Sequence, residues 1–198
     1  MRLSFYVTPF FGDPSRKLIT ALPPDEVRLS LRSGGQPAEP GAAERIIPAG
    51  ERVRITNVEF PTTAVLAERP LHTPRTLPWI YLRQTGGREE LPLILLLRPE
   101  IRSDDEFVAE LQRYLSDGDV AATYARWSEV VQQAVRSKTA LVDMPAEALE
   151  MAWGYPAQKQ ISFVNGIKRE EWVYWGERRR AHLADGRLVR FETRKPGG

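Results

Sequence analysis

The sequence predicts an α+β protein in two parts: a small β-barrel over residues 1–100, then amphipathic helices packed on a C-terminal antiparallel β-meander over residues 101–198. Three observations carry that reading. Short stretches of period-2 alternation, separated by Pro-rich turns, fill the first hundred residues, which hold most of the chain's 16 prolines. At residue 101 the periodicity changes to apolar stripes at helical spacing. Near the C-terminus two turn dipeptides, Asn165-Gly166 and Asp185-Gly186, punctuate alternating segments, a strong short-range signal for hairpins.

The first strand is read in "LSFYVTP", where Leu3, Phe5 and Val7 alternate with Ser4, Tyr6 and Thr8. In "VRLSLRSGG", Val27, Leu29 and Leu31 share one face and Gly34-Gly35 stops the strand. The turn Pro48-Ala49-Gly50 opens "ERVRITNVEF", whose inward phase shifts from Val53 and Ile55 to Val58 and Phe60. A bulge near Asn57 accounts for the shift. A long loop, residues 61–78, holds Pro61, Pro70, Pro74 and Pro78 and leads into the strand "WIYLRQ". The strand "LILLLR" is apolar on both faces, hence central or covered. Five or six such strands suit a small barrel better than a sandwich.

In the second part, Ser103 and Glu106 form a capping box, and Asp104, Asp105 and Glu106 sit at the positive end of the helix dipole. Phe107, Val108, Leu111, Tyr114 and Leu115 make the buried stripe, and Gly118 stops the helix. Asp119 caps a second helix through "VAATYARWSEVVQQAVRSK", with Val120, Tyr124, Trp127, Val131 and Ala134 inward. A third helix runs from Pro145 to Trp153, with Leu149, Ala152 and Trp153 inward; proline is tolerated in a first turn. Gly154 fits the left-handed position that ends a helix and Pro156 prevents continuation. In the meander, "QISFV" pairs with "EWVYW" across Asn165-Gly166. At the second turn a three-residue loop, Ala184 to Gly186, puts Ala181, Leu183, Val189 and Phe191 on one side, and burial favours that register.

Lys plus Arg is 28 against 26 Asp plus Glu, a net charge of +2. The two signs interleave, as in "IKREEWVYWGERRR", which reads as a mixed solvated surface rather than a one-sided basic patch. Cysteine is absent, which excludes disulfides, thiolate metal sites and a Cys nucleophile. No apolar run reaches the roughly 20 residues of a membrane-spanning helix. His72 and His182 are the only histidines and lack ligand spacing, so no metal or other cofactor is expected. The acidic pairs Asp104/Asp105, Asp117/Asp119 and Glu170/Glu171 are explained by a cap, a helix junction and a strand start. Ser103, Ser116 and Ser128 have no G-x-S-x-G context, and no Gly-rich phosphate loop occurs. The chain therefore reads as non-enzymatic. Its candidate binding surface is "EWVYWGERRR", where Trp172, Tyr174 and Trp175 surround Val173 and Arg178, Arg179 and Arg180 add a positive patch; Trp and Arg are enriched at binding hot spots. The Pro-rich loop is a second candidate.

The segment 141–192, about a quarter of the chain, resembles the small α+β module of the SmpA/OmlA (BamE-like) envelope lipoproteins. That family's pattern is a "GMs-x-x-x-V" helix start, an "lG-x-P" stop, a "W-x-Y" strand and a closing strand after a "dG" turn. The corresponding stretches are "VDMPAEALEMAWGYP", "EEWVYW" and "LADGRLVRFE". Gly154 and Pro156 match the stop, Trp172 and Tyr174 the aromatic strand, and Asp185-Gly186 the turn. Asp143 stands where the family has glycine, and Pro145 where it has a small capping residue. Separately, "IPAGERVRI" and "WIYLR" are similar to strands of bacterial SH3-like barrels. The resemblance implies a scaffold that meets other cell-envelope proteins through protein–protein contacts, in the periplasm or at the inner face of the outer membrane. The family's lipid-anchoring cysteine is absent, so that placement needs a signal segment ahead of Met1, and the expectation is otherwise cytoplasmic. The alternative function is nucleic-acid binding through Arg178 to Arg180 and the neighbouring aromatics.

Overall fold

A computed structural model describes residues 1–27, 39–86 and 91–194. Among them the fold is mixed α+β, with two sheets and five α-helices. The strand expected in "VRLSLRSGG" falls, beyond Val27, outside the described residues.

The first sheet contains β1 (Phe5–Phe10), β2 (Asp13–Thr20), β3 (Arg45–Ile47), β4 (Val53–Glu59), β5 (Trp79–Gln84) and β6 (Leu93–Leu96), in the order β3-β1-β2-β6-β5-β4. β2 and β6 run parallel and the other pairs antiparallel. Sequence alternation missed β2, because only Leu18 and Ile19 near its end are apolar and Pro14 interrupts its start. β3 and β4 are the two edges, yet only residues 48–52 separate them. Six flat strands at roughly 4.8 Å spacing place their edges about 24 Å apart, beyond the roughly 20 Å such a link can span. The sheet therefore curls. The expected bulge is present: pairing steps from Ile55↔Leu82 to Asn57↔Tyr81, with Thr56 the extra residue.

Inside the curl lie Leu3, Phe5, Val7, Ile19, Ile47, Ile80, Leu82, Leu93 and Leu95. Phe107, Leu111 and Tyr114 of α2 (Asp104–Gln112) and the turn after it pack onto this cluster. The change of character at residue 101 thus marks a change of secondary structure, not the edge of a core. On the other side of the sheet, Phe10, Phe11, Leu18, Trp79 and Ile94 form a second cluster. The segment 61–78 lies across it. Contrary to the expected loop, that segment contains α1 (Thr63–Glu68), capped by Thr62 Oγ1 accepting from Val65 N at 3.4 Å. Arg69, buried, stacks its guanidinium 3.8 Å from the Trp79 ring and donates to Glu59 and the Leu77 carbonyl. Trp79 Nε1 donates to Pro74 O at 3.0 Å.

The helices show three departures. α2 stops at Gln112, before the expected Gly118, and Val108 is exposed rather than inward. Glu106 reaches back to Arg102 N, one residue beyond the usual capping-box partner, while Ser103 Oγ accepts from Glu106 N. The expected long second helix is two, α3 (Val120–Tyr124) and α4 (Glu129–Arg136). Ser128 caps α4, Tyr124 Oη donates to Gln132 O at 2.6 Å, and Gln132 Nε2 donates to Trp127 O at 2.9 Å, which fixes the corner.

The second sheet is the antiparallel set β7 (Gln158–Val164), β8 (Ile167–Val173), β9 (Arg179–Ala184) and β10 (Arg187–Thr193), in the order β10-β9-β8-β7. α4 and α5 (Ala146–Trp153) cover it through Val135, Leu149, Ala152 and Trp153 against Trp172, Ala181, Leu183 and Leu188. The expected three-residue loop at Asp185-Gly186 is a two-residue turn, Ala184↔Arg187, and a bulge at Val189 restores the phase so that Phe191 meets Ala181. Leu188 is consequently buried and Val189 exposed.

Gly154 ends α5 at φ 81, ψ −172, a region essentially confined to glycine. A Cβ there would also lie 3.1 Å from Ala21 Cβ. Gly154→Ala is expected to cost about 1–3 kcal/mol or more in urea unfolding, whereas Gly118→Ala, at ordinary φ and facing only Ser116 Oγ at 3.4 Å, should stay within about 0.5 kcal/mol of the parent.

Candidate functional site

The residues singled out by sequence lie on β8, the turn after it and β9, beside the 3-10 turn Pro24–Glu26 that follows β2. β8 points Glu170 and Trp172 inward, and Tyr174 follows in the same phase. Trp172 is 1% exposed and donates from Nε1 to Glu170 Oε2 at 3.0 Å. Burial alone would raise the Glu170 carboxyl, but hydrogen bonds from Lys168 and Trp172 hold it below the usual carboxylate range. Tyr174 is equally buried, edge-on to Trp153, and burial drives its phenol well above the ordinary value. Neither aromatic is a surface group.

A 3-10 turn, Trp175–Glu177, reverses the chain with Gly176 at φ 69 and Glu177 at φ 54. Trp175 is thrown outward and is 63% exposed beside a cavity of about 420 Å³ shared with Leu22, Val27 and Arg178. The three arginines diverge. Arg178 donates to Asp25 Oδ2 at 2.9 Å and to its carbonyl at 3.1 Å. Arg179 is buried, fork-bonded to Glu26 at 2.9 and 3.0 Å, with Tyr174 and Trp153 rings 4.6 and 5.1 Å away. Arg180 points to the other face, onto Glu171 and Glu177, each at 3.0 Å. No continuous basic patch results, which leaves nucleic-acid binding without the surface it was assigned.

Arg178 and Arg179 instead tie β9 to the 3-10 turn Pro24–Glu26 that follows β2. A separate junction with α4 and α5 centres on Ser4: its N–H donates to Met151 O, its hydroxyl donates to Val135 O at 2.8 Å, and its Oγ accepts from Ala49 N at 2.9 Å. Lys138 follows α4 at φ 55 and is fully enclosed, its Nζ donating to Ser4 O at 2.7 Å and Ala152 O at 2.5 Å. Desolvation, then the charge of Arg179, drives the ammonium well below the ordinary lysine pKa. Sequence reasoning missed Lys138, since nothing in "RSKTA" signals burial.

The histidines do not meet. His72 is exposed in the 61–78 segment, and His182 sits on β9 with Arg190 at 3.1 Å and Glu192 at 3.6 Å. Among the described residues no group of three His, Asp or Glu side chains could hold a metal. A groove of about 870 Å³ between β4, α2 and α3 mixes Glu51, Arg52, Asp117 and Asp119 with Ile55 and Val108.

The open apolar surface lies elsewhere, on the β7–β8 hairpin. Every β7 residue is exposed, and Ile161, Phe163, Val164 and Ile167 are exposed hydrophobics. "QISFV" was legible as a strand; that its side chains stay exposed on both faces was not. No protein-family model matches the chain, and neither a curated protein nor a solved structure matches it.

Proposed function

We propose that the chain is a non-enzymatic scaffold of the bacterial cell envelope that binds proteins through the β7–β8 hairpin. The carrying observation is the pair Ile161 and Phe163, 55% and 73% exposed on the Trp172 face of the hairpin, with Val164 and Ile167 exposed on the opposite face. Apolar side chains left open side by side at a sheet edge mark an interaction site. The envelope assignment rests on the SmpA/OmlA-like resemblance of residues 141–192. Its support is local: Asp143, standing where that family has glycine, is at φ 71, and Gly154 and Asp185-Gly186 occupy left-handed positions at the matching stop and turn. The curl of the first sheet supports the SH3-like likeness of its strands. On this reading residues 1–100 are the SH3-like part and 101–198 the helical and BamE-like part.

The test is a photo-crosslinking amino acid at position 163 in the source cells, with fractionation. A discrete adduct to an envelope protein, absent when the same group replaces Val130 on α4, is the expected result. A protein confined to the cytosolic fraction without adducts overturns the reading, as does turnover lost on substituting one carboxylate.

A further inference from the structure

We infer that β7 pairs with β7 of a second copy of this chain, antiparallel about a twofold axis at Ile161, joining two four-stranded sheets into one of eight. The inference deepens the reading of this hairpin as a protein-contact surface, and rests on it, by naming the partner.

Among the described residues no strand pairs with the outer edge of β7. β7 is an edge strand whose register against β8 runs without a bulge from Gln158↔Val173 to Val164↔Ile167. The two-residue turn at Asn165-Gly166 makes Val164 and Ile167 a hydrogen-bonded pair. Alternation along the ladder then points the N–H and C=O groups of Lys159, Ile161 and Phe163 away from β8, toward the open edge. Natural edge strands are blunted by prolines, bulges or inward charges. β7 has no proline and no bulge, and its one inward charge, Lys159, bonded to Glu150 Oε1 at 2.5 Å and 4.1 Å from the Trp172 ring, stands near one end and leaves Ile161 to Val164 uncharged.

The side chains of the same residues complete the surface. Ile161 and Phe163 pair with Glu170 and Lys168 and so lie on the Trp172 face of the sheet, where α5 covers Trp172, Ala181 and Leu183 but leaves Ile161 55% and Phe163 73% exposed. A twofold axis at Ile161 sets Ile161 against Ile161, Lys159 against Phe163, Gln160 against Ser162 and Gln158 against Val164. The strand's only charge meets an aromatic ring, a favourable cation–π geometry, and no like charges oppose. This register pairs the whole strand, whereas an axis at Lys159 would oppose two lysines across the ladder, a destabilising arrangement. Because the axis stands perpendicular to the sheet, both α5 helices fall on one face. The Ile161 and Phe163 strips then floor the groove between them.

The absence of cysteine permits a register test in the full chain. Directly opposed hydrogen-bonded residues have Cα atoms about 5.5 Å apart, within the roughly 4.4–6.8 Å a disulfide bridges. Under mild oxidation Ile161→Cys should give a covalent dimer, and Ser162→Cys, offset by two residues from its own copy, and Val130→Cys, exposed on α4, should not. Sedimentation should show the unmodified chain reaching twice its 22.5 kDa with rising concentration. Phe163→Lys should weaken that association at least about tenfold with circular dichroism and melting unchanged. A chain monomeric across the whole series overturns the inference, as does cross-linking of all three cysteine variants alike. A monomer that still forms an envelope adduct from position 163 overturns the dimer alone, and a dimer without adducts overturns the scaffold reading alone.

Discussion

Arg179→Ala should lower the unfolding free energy by about 3–5 kcal/mol, the loss typical when one partner of a buried ion pair is removed. The side chains of Arg179 and Glu26 are only 8% and 6% exposed. Truncation leaves the Glu26 carboxylate enclosed without its fork of donors and empties the space against Tyr174 and Trp153. It also cuts a link between β9, which Arg179 opens, and the 3-10 turn Pro24–Glu26 that follows β2. Arg178→Ala is the internal control: its partner Asp25 is 54% exposed, and exposed pairs contribute about 1 kcal/mol or less. Replacing Arg179 and Glu26 together by leucines should recover much of the loss, because buried pairs tolerate apolar exchange better than half-removal. Urea midpoints of the four proteins check this. Equal effects of Arg178→Ala and Arg179→Ala would show that the enclosed pair does not hold β9 to the Pro24–Glu26 turn.

Much of this architecture was legible where local chemistry decides it. The alternation in "WIYLRQ", the two-sided apolar run in "LILLLR", the Ser103 cap, the Gly154 stop and the two turn dipeptides all depend on neighbours in sequence. The misreadings come from partners distant in sequence. Trp172 and Tyr174 are two residues apart and so share a face, and only the depth of the α5 cover tells whether that face is wet. Arg179 carried a readable signal, because Ala181 and Leu183 inward on β9 place Arg179 inward as well. Its need for a carboxylate followed, but Glu26, 153 positions away, did not. The break at Ser128 was also present as a cap residue followed by Glu129, masked by an apolar stripe that continues across the corner.

Stability should rise with pH on the approach to pH 10, and Lys138→Met should remove much of that rise. Lys138 is fully enclosed and bonded to carbonyl oxygens, with the Tyr6 ring 4.9 Å from its Nζ and the Arg179 charge nearby. Desolvation first, then Arg179, lowers its folded-state pKa well below 10.5. A neutral amine keeps two N–H groups for the Ser4 and Ala152 carbonyls, so its proton can leave without breaking either bond. Between the folded value and 10.5 the unfolded chain binds the proton and the folded chain does not. Stability therefore climbs with pH through that window, by at most about 1.4 kcal/mol per pH unit for one group. Above pH 10 the sign reverses: burial raises Tyr174, and raises Tyr114 to about 12, so the unfolded phenols ionise first and stability falls. Lys138→Met keeps the fall and loses the main rise, and it adds a pH-independent loss of about 1–3 kcal/mol for each carbonyl left without a donor. Urea midpoints of both proteins at half-unit steps measure the difference. If the two profiles run parallel from neutrality to pH 10, the enclosed lysine keeps its proton, and the carbonyls of Ser4 and Ala152 solvate an ammonium rather than an amine.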